Sequence, residues 1–539
     1  MQTKRPHIII FNPDEMRADS LAHLGANPAA ITPFLDEFSA TDAVSFSNAY
    51  CQNPVCVPSR CSFFTGLYPH VYGHRTMQHM LRAHEPSLFS ELKDAGYYVW
   101  MNTRNDLVAG QIPGLFESHA SEIYYGGDHP APPGPVNKNY RGEPGDKNYY
   151  SHYEGALQTD ENNINYSPDD AVVDAAINRL LNPVDEKPMC MFLGLSFPHT
   201  PYAVEEPYFS TIDRSKLPKR AGIGTNKPKI QQLLRQNMAM DEYTEDDWAE
   251  MRAVYLGMCM KIDAQFKRLC HVLKEAGIYD DCAIFFFSDH GDYTGDYGIP
   301  EKAQNTFEDC LTKVPLLIKP PKWIDLDAGI TDSFAELIDF YATAMDFAGA
   351  EPSHDHFGKS LRPILANRNI TQREYAFCEG GRMPWEKQAS EYHAVAGANG
   401  TVPRASMYWP RQTAQSDDEA HAKGTMIRDK QYKYIQRSSG AHEFYDLKLD
   451  PLEEHNVIDN PQYATQIIRM KSDLLDWYQC TCDIVPLDYD ARVTPEMMWM
   501  RVAHRCTPDM ENAVKDMART GMGPAVINAK ITEMLKNKC

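Results

Sequence analysis

Residues 8–15 read Ile8-Ile9-Ile10-Phe11-Asn12-Pro13-Asp14-Glu15, a continuous apolar run that stops at a pair of acids. A run apolar on both faces of the pleat marks a fully buried parallel strand, here with carboxylates at its C-terminal end. The pattern recurs at Cys282 to Ser288, followed by Asp289-His290-Gly291-Asp292, and at Met189 to Ser196, followed by Phe197-Pro198-His199. Helical patterns precede both later strands. Ser167-Pro168-Asp169-Asp170 is a capping box with proline in the first turn, and Val173, Ile177, Leu180 and Leu181 form an apolar stripe behind it. Thr244 opens a second helix with Asp247 three residues on, and Trp248, Met251, Tyr255, Met258, Ile262, Phe266 and Leu269 keep helical spacing up to Gly277. Helices alternating with buried strands predict an α/β fold: a large mixed, mostly parallel sheet flanked by helices on both faces. Ligands of such sheets gather at the carboxyl ends of strands, where both acidic clusters and His199 fall.

Beyond this frame the pattern changes. His129 to Tyr150, rich in Pro, Gly, Asn and Tyr, reads as a long surface loop. After Gly358-Lys359-Ser360-Leu361 the runs shorten, and Gln431 to Gln436 with Phe444-Tyr445-Asp446-Leu447 predict a short antiparallel sheet in a smaller C-terminal α+β subdomain. From Thr494 to Cys539 the chain reads as helical, with starts at Thr494 and Pro508. The expected organisation is a main domain over 1–370, a C-terminal subdomain over 371–485 and a helical extension over 486–539. The apolar stripe from Met497 to Val502 is a face that a second subunit could cover.

The 539 residues include 53 basic and 74 acidic side chains, a formal charge of −21. That balance argues against a nucleic-acid partner, because a phosphate backbone demands a basic face, but it leaves room for a local anion pocket. Hydrophobic content of 43% with 24% charged residues is ordinary globular usage. No apolar run approaches the roughly 20 residues that span a bilayer, and no export signal is visible, so the expected placement is cytoplasmic with no membrane partner. The 13 cysteines are scattered and odd in number, which reads as reduced core residues rather than a disulfide framework, and Cys480 and Cys482 are too close for a zinc ribbon.

The most specific segment is Cys56-Val57-Pro58-Ser59-Arg60, continuing to Thr65-Gly66-Leu67-Tyr68-Pro69. Pro58 suits a first helical turn, so Cys56 falls at a helix N-terminus, where unpaired N–H groups favour an anion, and Arg60 adds a fixed positive fork. A buried core cysteine is the bland alternative. A cysteine-based phosphatase fails on spacing, since the arginine it wants beyond Arg60 is replaced by Ser62.

With its surroundings, CVPSRCSFFTGLYP resembles the signature of the type I, formylglycine-dependent sulfatases of the alkaline-phosphatase-like superfamily. Pro6 to Asp19 resembles the family's first strand and metal loop, Ser196 to Tyr202 its central histidine motif, Ser288 to Lys302 its second metal loop and substrate lysine, and Phe444 to Pro451 its C-terminal signature. These landmarks run in family order from residue 6 to about 457.

The resemblance implies a sulfatase that converts R–O–SO₃⁻ to alcohol and sulfate, acting on a sulfated carbohydrate or a small aryl or alkyl sulfate. A maturation enzyme oxidises Cys56 to formylglycine (3-oxoalanine), one oxygen of its hydrate attacks sulfur, and loss of the second hydroxyl proton releases sulfate. Asp14, Glu15, Asp289 and His290, with the modified Cys56, are the implied ligands of one divalent cation, since two acidic loops at neighbouring strand ends can converge on one ion. Carboxylates make Ca²⁺ first choice and Mg²⁺ or Mn²⁺ next. Glu15 departs from the commoner Asp, and His290 brings a nitrogen. His199 and Lys302 carry over as residues that bind sulfate and protonate the leaving alkoxide, His199 with a pKa suited to neutral pH.

Where the family has Gly-Lys-x-His, this chain has Arg104 at the Lys and Asp106 at the His. Arg104 can grip sulfate oxygens. Asp106 reads either as a base or as a salt-bridge partner that orients Arg104. Asp292, Asp296 and Glu301 read as ordinary loop acids, and His70, His74 and His79 receive no role. A phosphonate monoester or phosphodiester hydrolase on the same scaffold is the nearest alternative, and a catalytically silent glycan-binding relative is the alternative of another class.

Overall fold

The computed structural model describes residues 4–127, 130–386, 402–487 and 494–536. His129, at the start of the expected loop, and Cys539, at the end of the expected helical extension, lie outside the described residues.

The run that opens the chain forms strand β1 (His7–Asp14) at the centre of an eight-stranded sheet. The other members are β2 (Val44–Tyr50), β3 (Tyr98–Asn102), β4 (Glu122–Tyr124), β6 (Met189–Pro198), β8 (Cys282–Phe287), β9 (Leu316–Lys319) and β10 (Gly329–Glu336), in the order β10-β2-β9-β8-β1-β6-β3-β4. All neighbours run parallel except β9, which is antiparallel to both β2 and β8. The sheet is therefore mixed and mostly parallel, as expected.

Alternate side chains of β1 feed two cores. Ile9 and Phe11 enter one, with Trp248, Met251, Tyr255, Met258, Ile262, Phe266 and Leu269 of the helix Glu245–Glu275. Ile8 and Ile10 enter the other, with Val57, Phe63 and Phe64 of the helix Cys56–Thr65 and Phe340 of Ile338–Ala348. Period-two alternation against helices on both faces is what makes the run read as uniformly apolar.

Both expected capping boxes form. Ser167 accepts from Asp170 N, and Thr244 accepts from Asp247 N. The stripe of Pro168–Leu181 differs in one position: Leu181 is 47% exposed, while Ala176 occupies the buried face between Val173 and Leu180. At 100° per residue Leu181 has already turned off that face.

Residues 130–150 carry no helix or strand. The loop is anchored where β5 (Tyr153–Ala156) pairs in parallel with β7 (Tyr202–Val204). The smaller sheet is antiparallel: β11 (Ala376–Gly380), β12 (Gly424–Arg428), β13 (Tyr432–Arg437) and β14 (Glu443–Asp446), in sequence order. The helix Ala464–Thr481 covers it through Met470, Leu474 and Trp477.

Residues up to 352 with 356–483 make one compact unit, and 353–355 with 484–539 make a second. The second is helical, opening at Pro495–Val502 under a Thr494 cap. Within the expected apolar stripe, Met498 and Val502 enter that unit's own small core, whereas Met500 is 78% exposed.

Candidate active site

The site is built where β1 and β8 end side by side. Asn12 Nδ2 donates to Phe287 O (2.7 Å) and Met16 N to Ser288 Oγ (2.7 Å), which ties the two acidic loops together. Glu15 adopts a left-handed φ of 71°. This turn sends consecutive carboxylates different ways: Asp14 meets Cys56, and Glu15 meets His199 and Lys302. The second loop needs Gly291, because a Cβ there would lie 2.0 Å from Cys310 O.

Cys56 is the first residue of the helix Cys56–Thr65 and is buried, as the signature predicts. Its Sγ lies 3.5 Å from Asp14 Oδ1 and 3.2 Å from His290 Nε2. His290 Nδ1 donates to Gly291 O at 2.9 Å, so the neutral ring turns its Nε2 lone pair toward the sulfur. Ligand atoms of Asp14, Cys56, Asp289 and His290 all lie within 4.8 Å of one another. Glu15 belongs instead to an adjoining cluster with Asp14 and His199, and its Oε1 is buried with no partner among the described residues. Two buried carboxylates, an imidazole lone pair and an orphaned carboxylate oxygen are a donor set that fits a hard divalent cation.

Two guanidiniums offset the acids. Arg60, wholly buried, donates from Nε to Asp289 Oδ2 (3.0 Å) and from Nη2 to Asp14 Oδ2 (3.0 Å). Arg104 Nη2 reaches the same Asp14 oxygen at 2.7 Å, and its Nε donates to Leu195 O at 3.2 Å. Asp14 Oδ1 is left to face the sulfur. Burial pushes the Asp14 carboxyl up, but Arg104, His199, Arg60 and Lys302 outweigh it and hold it well below the usual range. The Cys56 thiol is driven up by burial and then by Asp14, the reverse of what a thiolate nucleophile requires.

Lys302 Nζ lies 2.8 Å from Glu15 Oε2. Burial opposes its charge, yet the carboxylates of Glu15, Glu301 and Asp14 keep it protonated. His199 Nε2 approaches the same Glu15 oxygen at 3.4 Å, while its Nδ1 donates to Thr200 O at 2.7 Å. Burial and Lys302 push the His199 pKa well below its ordinary value, so the expectation of a near-neutral pKa gives way to a neutral ring with its proton on Nδ1. Lys302 is the charged member of the pair.

Asp106 is at the rim, one-third exposed, with Oδ2 4.0 Å from Arg60 Nε. No ion pair joins it to Arg104 within 4.0 Å among the described residues; Arg104 is oriented by Asp14 and Leu195 instead. The three residues read as loop acids are all buried and partnered: Asp292 by Tyr202 Oη (2.9 Å), Asp296 by Arg17 (2.8 Å) and Glu301 by Arg411 (2.6 Å). Sequence reading also missed Ser59, whose hydroxyl donates to Asp289 O at 2.6 Å, although it stands inside the signature. It missed Arg411 because nothing local marks a guanidinium that pairs 110 residues away.

A helix-start cysteine ringed by two carboxylates and an imidazole, with Arg104, His199 and Lys302 converging on the same spot at the carboxyl edge of a mostly parallel sheet, defines an alkaline-phosphatase-like hydrolase of anionic esters. The sulfatase family model matches residues 6–350, and the chain belongs to the sulfatase family. It is a sulfuric ester hydrolase. It is 26% identical over 541 residues to the multifunctional alkaline phosphatase superfamily protein PehA of Trinickia caryophylli, covering 88% of this chain and 95% of that one. It is 24% identical over 527 residues to the N-acetylglucosamine-6-O-sulfatase of Bacteroides thetaiotaomicron, covering 86% and 84%. Among solved structures, the phosphonate monoester hydrolase of Agrobacterium radiobacter superposes with a TM-score of 0.70 at 21% identity, over 90% of this chain and 97% of that one, which shows a common fold.

Proposed function

We propose that the chain hydrolyses a sulfate monoester of a carbohydrate or of a small aryl or alkyl alcohol, using formylglycine made from Cys56 by a maturation enzyme together with one divalent cation. The observation that carries this reading is Cys56 Sγ, 3.5 Å from Asp14 Oδ1 and 3.2 Å from His290 Nε2, with a thiol held protonated by its surroundings. An inert thiol at the centre of a ligand ring makes sense as the precursor of another nucleophile. Formylglycine supplies a hydrate oxygen for attack on sulfur. Asp14, Asp289 and His290, with Glu15 alongside, would hold the cation, Ca²⁺ first; bound there, it supplies Lewis acidity toward a sulfate oxygen.

The chain's own side chains divide the remaining work. Arg60 balances the charge of Asp14 and Asp289 and keeps both carboxylates in place. Arg104 and Lys302 bind sulfate oxygens, while His199, with its one proton committed to Thr200 O, turns an acceptor Nε2 toward the site. Lys302 carries the proton that the leaving alkoxide takes, and Asp106, open to solvent at the rim, acts as base in the release of sulfate. The catalytic role falls to residues 1–370, with 371–485 and 486–539 as accessory segments. The scattered, odd-numbered cysteines fit a reducing, cytoplasmic setting, and no described helix is long and apolar enough to cross a membrane.

Turnover of aryl sulfates, sugar sulfates and phosphonates by protein co-expressed with a maturase tests the assignment, with sulfate release as the expected result. The likeness to a phosphonate monoester hydrolase favours phosphonate or phosphodiester hydrolysis as the second reading; faster turnover of a phosphonate than of every sulfate would establish it. A silent glycan-binding role leaves the intact ring of Asp14, Cys56, Asp289 and His290 without use.

A further inference from the structure

A cavity of about 210 Å³ opens on one side to His199, Thr200, Pro201 and Glu301 of the site, and its remaining walls come from residues 140–154 and 407–408, stretches that carry no catalytic motif. Its size is below the roughly 300–1,000 Å³ typical of drug-sized ligand sites, so it suits one ring rather than a chain. Tyr140, Tyr149 and Tyr408 supply aromatic faces. The two wall segments brace one another: Tyr149 Oη and Arg141 both donate to Ala405 O, at 2.8 and 3.1 Å.

Three polar side chains of this wall have unused valences among the described residues. His152 makes no side-chain hydrogen bond, and it is held in a left-handed backbone (φ 59°) by its carbonyl, which accepts from Tyr202 N at 2.8 Å. A bulky side chain in that conformation is kept at a cost, which points to use. Burial holds its ring neutral, with a pKa lowered to about 4, so it offers one donor and one acceptor. Glu154 Oε1 accepts from Tyr140 Oη at 2.5 Å, whereas its Oε2 is unclaimed and no cation pairs with it. Asn148 Oδ1 accepts from Tyr243 Oη at 2.9 Å, and its amide N–H groups have no acceptor.

Resting on the sulfatase reading, we propose that this cavity is the leaving-group subsite and that it takes a single polyhydroxylated sugar ring, with His152 and Glu154 hydrogen-bonding its hydroxyls over the tyrosine faces. An aryl ring would cover these donors and acceptors and leave them unpaired, which is costly. A quaternary ammonium would suit Glu154 but would leave the His152 and Asn148 donors unpaired, and it would meet the Arg141 guanidinium, already stacked 4.0 Å from the Tyr149 ring centroid. Hydroxyls, which donate and accept, match all three vacant groups.

The test uses matured full-length enzyme on a panel of hexose and hexosamine 6-sulfates against 4-nitrophenyl sulfate. His152→Gly removes the imidazole and suits the left-handed backbone; Glu154→Gln keeps the Tyr140 bond and turns the free acceptor into a donor. Each variant is expected to lower kcat/KM for the best sugar sulfate at least tenfold more than for the aryl ester. Equal losses on both substrates, or none on the sugar, overturn the proposal. Binding of the desulfated sugar to the unmatured Cys56 protein, followed by saturation-transfer NMR, separates the two levels. Aryl sulfate turnover without sugar binding overturns the subsite and leaves the sulfatase reading standing. Sugar binding lost in Glu154→Gln, with no sulfate ester turned over by wild type, sustains the subsite and removes that reading.

Discussion

Lys302 Nζ and Glu15 Oε2 form a 2.8 Å ion pair with almost no access to solvent, and the two partners respond to burial in opposite senses. Burial raises the Glu15 carboxyl well above its usual range despite Lys302, so it can shed its charge by taking a proton. Lys302 is held charged by the carboxylates of Glu15, Glu301 and Asp14 against the cost of burial. The pair is therefore expected to be asymmetric under mutation. Glu15→Gln removes the nearer partner of a buried cation, leaving it Glu301 at 3.7 Å, and should cost about 3 kcal/mol, whereas Lys302→Met should cost less than about 2 kcal/mol because Glu15 can neutralise. Urea unfolding of the unmatured variants measures both; equal losses would contradict the asymmetry. Lys302→Met should also lower kcat by at least about 10²-fold as the leaving-group proton is lost.

Conversion of Cys56 is the second expectation. Peptide mass analysis after co-expression with a maturase should show an aldehyde oxygen in place of the thiol sulfur, and Cys56→Ala should be folded and inactive. In the unmatured protein the buried, high-pKa thiol should resist iodoacetamide at pH 7.5, while the exposed Cys480 and Cys482 react first. Early labelling of Cys56 would refute the picture of an inert precursor.

Asp289→Ala removes a carboxylate that accepts from Arg60, Glu15 N and His290 N together. Elemental analysis should find the divalent ion missing and turnover lost in step. Full metal occupancy in this variant would move the ion elsewhere, to the neighbouring cluster of Asp14, Glu15 and His199.

Asp106→Asn separates a base from a spectator. As base, its loss should allow a burst of one alcohol per active site followed by slow steady-state turnover, seen by rapid mixing. A raised KM with unchanged kcat would instead mark a role in binding, through the 4.0 Å approach to Arg60.

Acid stability gives a prediction remote from the chemistry. Burial, then Arg382, lower the His421 pKa to about 3, against an ordinary 6.5. Between these values the unfolded chain binds a proton that the folded chain refuses, so stability rises with pH across that window and falls as pH drops from 6.5 toward 3, by up to about 1.4 kcal/mol per pH unit. His421→Gln should flatten this slope in urea titrations at pH 4 to 7. An unchanged slope would assign the acid sensitivity to other groups.

Sequence alone determined the frame and the chemical centre. The runs 8–12, 189–196 and 282–288 are apolar on both faces, a pattern that only a strand covered by helices on either side can satisfy, and their ends carry Asp14, His199 and Asp289. The signature placed Cys56 at a helix start because Pro58 and the residues around it constrain the chain locally. Tertiary structure alone decided what each charge faces. Asp14 and Glu15 are adjacent in sequence yet serve different partners because of one left-handed turn. Arg104 leans on Asp14, 90 residues away, and Glu301 on Arg411, 110 away. The wall beside His199 is assembled from segments about 250 residues apart, through bonds such as Tyr149 Oη to Ala405 O. Periodicity and capping report on neighbours within a few residues along the chain, whereas ion pairs and cavity walls depend on distances that exist only after the sheet has brought remote loops to one edge.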